Sequence, residues 1–141
     1  MNRQDAKDAK IGRTEPDGEI DHLAYRVIGC AREVHRHLGP GFLESVYEEA
    51  LSLELRRQGV PFARQSEISI AYKGDAIGVG RVDFLVDNQL IVELKATDAL
   101  AHIHTAQVLS YLRMTRCKLG LLINFNVTML RQGVERVVLS L

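Results

Sequence analysis

Cysteine, charge imbalance and long apolar runs are all scarce in this sequence. Cys30 and Cys117 are the only cysteines in 141 residues; they lie far apart, and neither belongs to a CxxC pair. That excludes a disulfide framework and suits free thiols in a reducing cytoplasm, the expected location. Lysine plus arginine and aspartate plus glutamate stand at 18 each, so the net charge is zero. A neutral chain has no overall basic attraction for nucleic acid, and such a partner would need positive charge gathered locally. No apolar run reaches the roughly 18 residues of a membrane-spanning helix, so no membrane partner is expected. The polar start, "MNRQDAKDAKIGRTEPDGE", has no apolar segment of the secretory kind. Residues 1–18 are expected to be disordered or loosely attached, and residues 19–141 to form a single domain.

What is present is strong periodicity. Ile20, Leu23, Ala24, Val27, Ile28, Ala31, Val34 and Leu38 recur at helical spacing, with Asp17 or Asp21 as candidate caps and "GPG" at residues 39–41 as the stop. A second helix is expected over residues 42–58, with Leu43, Val46, Tyr47, Ala50, Leu51 and Leu55 as its apolar stripe. Ile68, Ile70 and Tyr72 then alternate with polar residues, which predicts a strand. A second strand is expected over 78–86, with Val82, Phe84 and Val86 on one face, and a third over 90–96 after the turn "DNQ". Thr97 or Asp98 should cap a helix that runs to Met114, with Leu100, Ile103, Tyr111 and Met114 along one face. Residues 118–125, "KLGLLINF", read as a strand buried on both faces, and 134–141 as a final strand. The order α-α-β-β-β-α-β-β predicts an α/β (α+β) fold, a mixed central sheet flanked by helices.

The third strand, "LIVELKA", carries an anomaly. Charge within an apolar strand is costly unless it is paired or binds a metal. Strand alternation puts Ile91, Glu93 and Lys95 on one face, and Arg81, Asp83 and Leu85 on one face of the strand before it. A short hairpin would bring Asp83 and Glu93 to the same side, with Lys95 beside them. Two carboxylates so placed make a hard-oxygen site of the kind Mg²⁺ and Mn²⁺ favour. A lysine there can order a water or stabilise charge on a phosphoryl oxygen. On helical geometry Glu44 and Gln107 also fall on apolar arcs, where polar groups need partners. The bland alternative is a solvated face: Glu54 shares the Glu44 arc, and ExK is a common tripeptide.

His35 reads as a hydrogen-bonded core histidine, and Tyr47 as a core aromatic with its hydroxyl satisfied. His35/His37 and His102/His104 are two apart, which on a helix makes no zinc pair. Arg56, Arg57 and Arg64 read as a solvated face that keeps a phosphate track open as the rival.

Gly41, Glu44 and Tyr47 stand in the order GxxExxY within "GPGFLESVYEEAL". With "EVHRHLGPG" before and "IVELKA" after, the chain resembles the GxxExxY protein family, grouped with the PD-(D/E)XK nuclease superfamily, over residues 20–139. The resemblance implies a restriction-endonuclease-like αβββαβ core. It implies that Asp83 and Glu93 bind the metal, with Glu44 as an additional acid and the backbone carbonyl of Leu94 completing the shell. It implies that Lys95 positions or activates the attacking water, and that Gln107 is the glutamine of the helix after that strand. The acid before the strand pair stands in "RVDFL" rather than after a proline. The implied function is a Mg²⁺- or Mn²⁺-dependent nuclease acting on nucleic acid, DNA in preference to RNA. A nuclease-like binding or accessory module without turnover is the alternative, and a purely structural ion-pair network is a third. The sequence leaves a homodimer open.

Overall fold

The computed structural model describes residues 18–140. The expected loose segment therefore lies outside the described residues except for Gly18, which already belongs to the first helix. Nine elements follow in order: α1 (Gly18–Leu38), α2 (Glu44–Arg57), β1 (Phe62–Tyr72), β2 (Asp75–Val86), β3 (Leu90–Lys95), α3 (His102–Thr115), β4 (Leu119–Asn124), a 3-10 turn (Leu130–Gly133) and β5 (Val134–Val138). The strands form one five-stranded sheet in the order β1-β2-β3-β4-β5. The β3–β4 pair is parallel, joined through α3, and the other pairs are antiparallel. From α2 to β4 the chain runs αβββαβ, the expected core of a restriction-endonuclease-like α+β fold.

Alternation along the strands divides the interior in two. On one face α1 and α2 lay Val27, Ala31, Tyr47, Leu51 and Leu55 on Phe84, Val92, Leu94, Leu121 and Ile123. On the other, α3 lays Val108 and Leu112 on Ile91, Leu122 and Val137. Every residue of β4 is buried, as a strand covered on both faces should be. A glycine within it, Gly120, lets α3 approach: an added Cβ would stand 2.6 Å from Val108 Cγ1.

The helical stripes shift in detail. The α1 stripe is as expected, but Asp21 sits inside the helix, bonded to Arg136 at 2.8 Å, and does not cap it; Asp17 lies outside the described residues. Helix α3 begins at His102 rather than near Thr97. Its buried residues are Val108 and Leu112, while Ile103 and Met114 are exposed. On α2 the buried residues are Tyr47, Leu51, Ser52 and Leu55, and Leu43 and Val46 are exposed. In both helices the expected arc was too wide, and the sheet accepts a narrower i, i+4 seam. The first strand extends well ahead of Ile68, to Phe62.

Candidate active site

The hairpin between β2 and β3 builds the site. Asp87 and Asn88 both have positive φ, and Gln89 N–H donates to the Val86 carbonyl at 2.9 Å. Such a turn suits Asp and Asn, and it fixes the register of the strands it joins. Val86 pairs with Leu90, Leu85 with Ile91 and Phe84 with Val92, and there the ladder stops. The next residues on the two strands are Asp83 and Glu93. Their carboxylates take over the bonds that a continued ladder would have made. Asp83 N–H donates to Glu93 Oε2 at 2.7 Å, and Leu94 N–H donates to Asp83 Oδ2 at 2.8 Å.

This exchange breaks the regular alternation of β2. Phe84 and Val86 pack with α1 and α2, but Val82 packs on the α3 side. The expected common face of Val82, Phe84 and Val86 is therefore not observed. Asp83 turns toward the backbone of β3, and the strand changes face around it.

Glu93 is buried, 6 % exposed, while Asp83 and Lys95 are half-buried. Burial pushes the Glu93 carboxyl up to about 7, and the neighbouring Asp83 carboxylate adds to the rise. The Asp83 N–H and the Lys95 ammonium oppose it, and Glu44 pushes it up further. The surroundings of Glu93, with Asp83 from β2 and Glu44 from α2, thus hold more negative charge than Lys95 offsets.

Glu44 reaches this group from α2 through a compact local device. Gly39 (φ +68) and Gly41 (φ +110) bend the chain between α1 and α2 in conformations that favour glycine. Tyr47, fully buried, donates its hydroxyl to the Gly39 carbonyl at 2.6 Å and accepts the Phe42 N–H at 3.2 Å. It pins the loop from one turn inside the helix and so sets where α2 begins. Glu44 is the first residue of α2, where a carboxylate gains from the helix dipole. The Tyr47 ring stacks on Phe125, centroids 4.5 Å apart, and the Phe125 N–H donates to the Lys95 carbonyl at 2.9 Å. His35 is buried beside the same ring and donates through Nε2 to the Val127 carbonyl at 2.8 Å, as a core histidine.

Asp83 and Glu93 are therefore brought together, with Lys95 and, more weakly, the exposed Glu44 within electrostatic reach of Glu93; Leu94 contributes its backbone N–H, its side chain being buried on the α1–α2 side. Gln107 is exposed on α3, with its carboxamide 3.4 Å from the Tyr111 hydroxyl. Arg64 is engaged by Glu48 and Glu49 at 3.0 and 3.2 Å. Arg56 lies over the Phe62 ring, 5.5 Å from its centroid. Gln65, on β1, donates to Asp83 Oδ1 at 3.2 Å. Nothing in the sequence singled it out, because "ARQSE" has no apolar alternation and a positive φ leaves no mark on composition.

A model of the PD-(D/E)XK nuclease superfamily matches residues 21–137. The chain belongs to that superfamily. In PD-(D/E)XK terms the acid of "RVDFL" and the ELK of β3 occupy adjacent strands at the end of their shared ladder. Among solved structures, the crystal structure of SSO0001 is similar, with a TM-score of 0.54 at 18% identity. The alignment covers 69% of this chain and 50% of that chain, so the two share a fold over half the length of the latter. No curated protein matches the sequence. Among the described residues no helix is long and apolar enough to cross a membrane.

The donor set suits a hard divalent cation. Among the described residues no three His, Cys, Asp or Glu side chains gather into a metal cluster. Mg²⁺ is commonly held by one or two carboxylates, with the remaining positions left to water and phosphate. The uncompensated charge around Glu93 is the observation that favours a cation there.

Proposed function

We propose that this chain is a metal-dependent nuclease that hydrolyses phosphodiester bonds in nucleic acid, with DNA as the preferred substrate. The observation that carries the reading is the crossed pair at the end of the β2–β3 ladder. There Asp83 and Glu93 each accept the other strand's backbone N–H, and Glu93 is raised to about 7. Asp83, Glu93 and the Leu94 carbonyl would hold Mg²⁺ or Mn²⁺, with Glu44 close by. When bound, the ion would polarise the scissile phosphate and make a bound water more acidic. Lys95, on the same strand face as Glu93, would orient the attacking water and stabilise charge on a phosphoryl oxygen. The Asp83 N–H and the Leu94 N–H hold the two carboxylates in place. Gln107, from α3, would orient a ligand or the lysine. The GxxExxY placement rests on Gly41, Glu44 and Tyr47; the loop-pinning geometry accounts for the glycine and the tyrosine, and Glu44 stands exposed at the start of α2. The free thiols Cys30 and Cys117 suit a cytoplasmic setting.

The test is cleavage of plasmid, linear and single-stranded DNA and of RNA with Mg²⁺ or Mn²⁺. Glu93→Ala and Lys95→Ala should each lower the rate by at least about 100-fold. Cleavage that persists in both variants rejects the assignment.

A second reading, a nucleic-acid-binding or accessory module without turnover, draws on the tied-up cations: Arg64 is spent on Glu48 and Glu49, and Arg81 contacts Glu67 at 3.5 Å. Calorimetric binding of Mn²⁺ without cleavage of any substrate would select it.

A further inference from the structure

Gln65 is held in a conformation that its residue type disfavours. Its φ is +47, in the left-handed region that a long side chain enters at a cost. The β1–β2 pairing passes over it: Arg64 faces Phe84 and Ser66 faces Val82, with Gln65 and Asp83 unpaired between them. Its Nε2 donates to Glu48 Oε1 at 2.9 Å and to Asp83 Oδ1 at 3.2 Å, so both of its amide protons are used. Glu48 is anchored in turn by Arg64 Nε at 3.1 Å. The second oxygen of Asp83 accepts the Leu94 N–H. A continuous polar line thus runs from α2 through β1 and β2 to β3 and ends at the acid pair. Gln65 is exposed and belongs to neither apolar cluster, so core packing does not explain the strain. Strained backbone persists where surrounding structure holds it, and it concentrates at functional sites.

We propose that Gln65 is a positioning residue for the acid site. Its carboxamide, braced on Glu48, holds the Asp83 carboxylate turned toward β3, so that Asp83 and Glu93 present to one cation. The inference rests on the metal-dependent reading above and adds to it the element that fixes the orientation of Asp83.

Two variants separate positioning from scaffolding. Gln65→Met keeps the length and the backbone strain but cannot donate. Gln65→Gly removes the donor and the strain together. Three quantities are measured on the full chain: melting temperature, Mn²⁺ affinity by calorimetry, and hydrogen exchange of the Leu94 amide in EDTA. Both variants should bind Mn²⁺ about 10- to 100-fold more weakly, the usual effect of losing a group that orients a ligand. In both, the Leu94 amide should exchange about fivefold faster, as expected from loosening its acceptor. Gln65→Gly should melt no lower than the wild type. Wild-type Mn²⁺ affinity and wild-type Leu94 protection in both variants overturn the proposal. So does a lower melting temperature in both with binding intact, which marks a scaffold. A wild-type protein that binds no Mn²⁺ overturns the metal reading instead. The Leu94 amide, measured without metal, then decides on Gln65 by itself.

Discussion

At the scale of the residue, Glu93 converts the site's charge problem into a dependence on pH. Its carboxyl is raised from 4.5 to about 7 in the folded chain, with burial the first cause and Asp83 the second. A group raised on folding favours the folded state below its unfolded value, and that contribution is lost as pH rises through the folded value. The metal-free protein should therefore lose about 3 kcal/mol of stability from this group between pH 4.5 and pH 7. Urea melts in EDTA across that range measure the loss. Glu93→Gln should flatten the profile, because the amide oxygen still accepts the Asp83 N–H without carrying charge. A slope unchanged by the substitution would assign it to another group. Mn²⁺ affinity should rise over the same interval, since the cation competes with the proton. Tyr47 gives a second residue-scale expectation. Tyr47→Phe keeps the stack on Phe125 but strips the hydroxyl from the Gly39 carbonyl and the Phe42 N–H. The cost should be about 1–3 kcal/mol in a denaturant titration, because two loop groups lose a buried partner.

At the scale of the element, close approaches decide which changes the sheet tolerates. An alanine methyl at Gly120 would press on Val108 Cγ1, a side chain that can yield as α3 shifts. At Gly133 it would meet the backbone carbonyl oxygen of Asn124, which cannot turn aside. Gly120→Ala should cost about 1–3 kcal/mol, and Gly133→Ala more than about 3 kcal/mol. Thermal melts of the two variants rank them. Legibility in the sequence followed the same divide between periodic and irregular segments. Helix α1 could be read because burial on one face imposes a period on it, and strands β3 and β4 because burial on both faces makes them short apolar runs. The first half of β1 could not, since Ala63 to Glu67 rides at the sheet margin and carries no apolar rhythm. The start of α3 was misplaced because polar residues such as Thr97 and Asp98 look like caps whether or not a helix follows. Here Asn124 holds the Thr97 backbone through Oδ1 and Nδ2, a contact 27 residues distant in sequence.

At the scale of the whole molecule, the two faces of the sheet are unequally covered. The α1–α2 face buries a long list of large side chains, whereas α3 seals its face with Val108 and Leu112 from the helix side. Opening free energies follow local burial. Native-state hydrogen exchange should therefore release the amides of α3 before those of α1, β3 and β4. Equal protection of all four would contradict this division of the core. The site was partly legible for a related reason. Glu44, Asp83, Glu93 and Lys95 stand out as charges set in apolar runs. Gln65 does not, because its part depends on a backbone angle and on Glu48, a helix away.

The place of Phe125 has a further consequence. Its ring carries the weight of Tyr47, and its own N–H is tied to the carbonyl of Lys95 on β3. The two signatures of this chain, one helical and one extended, are thereby surveyed from a single benchmark that belongs to neither. Trimming that ring to leucine would leave each signature intact as text while letting them drift relative to one another in space. A loss of catalytic rate with every acid and the lysine still in place would be the mark of that drift.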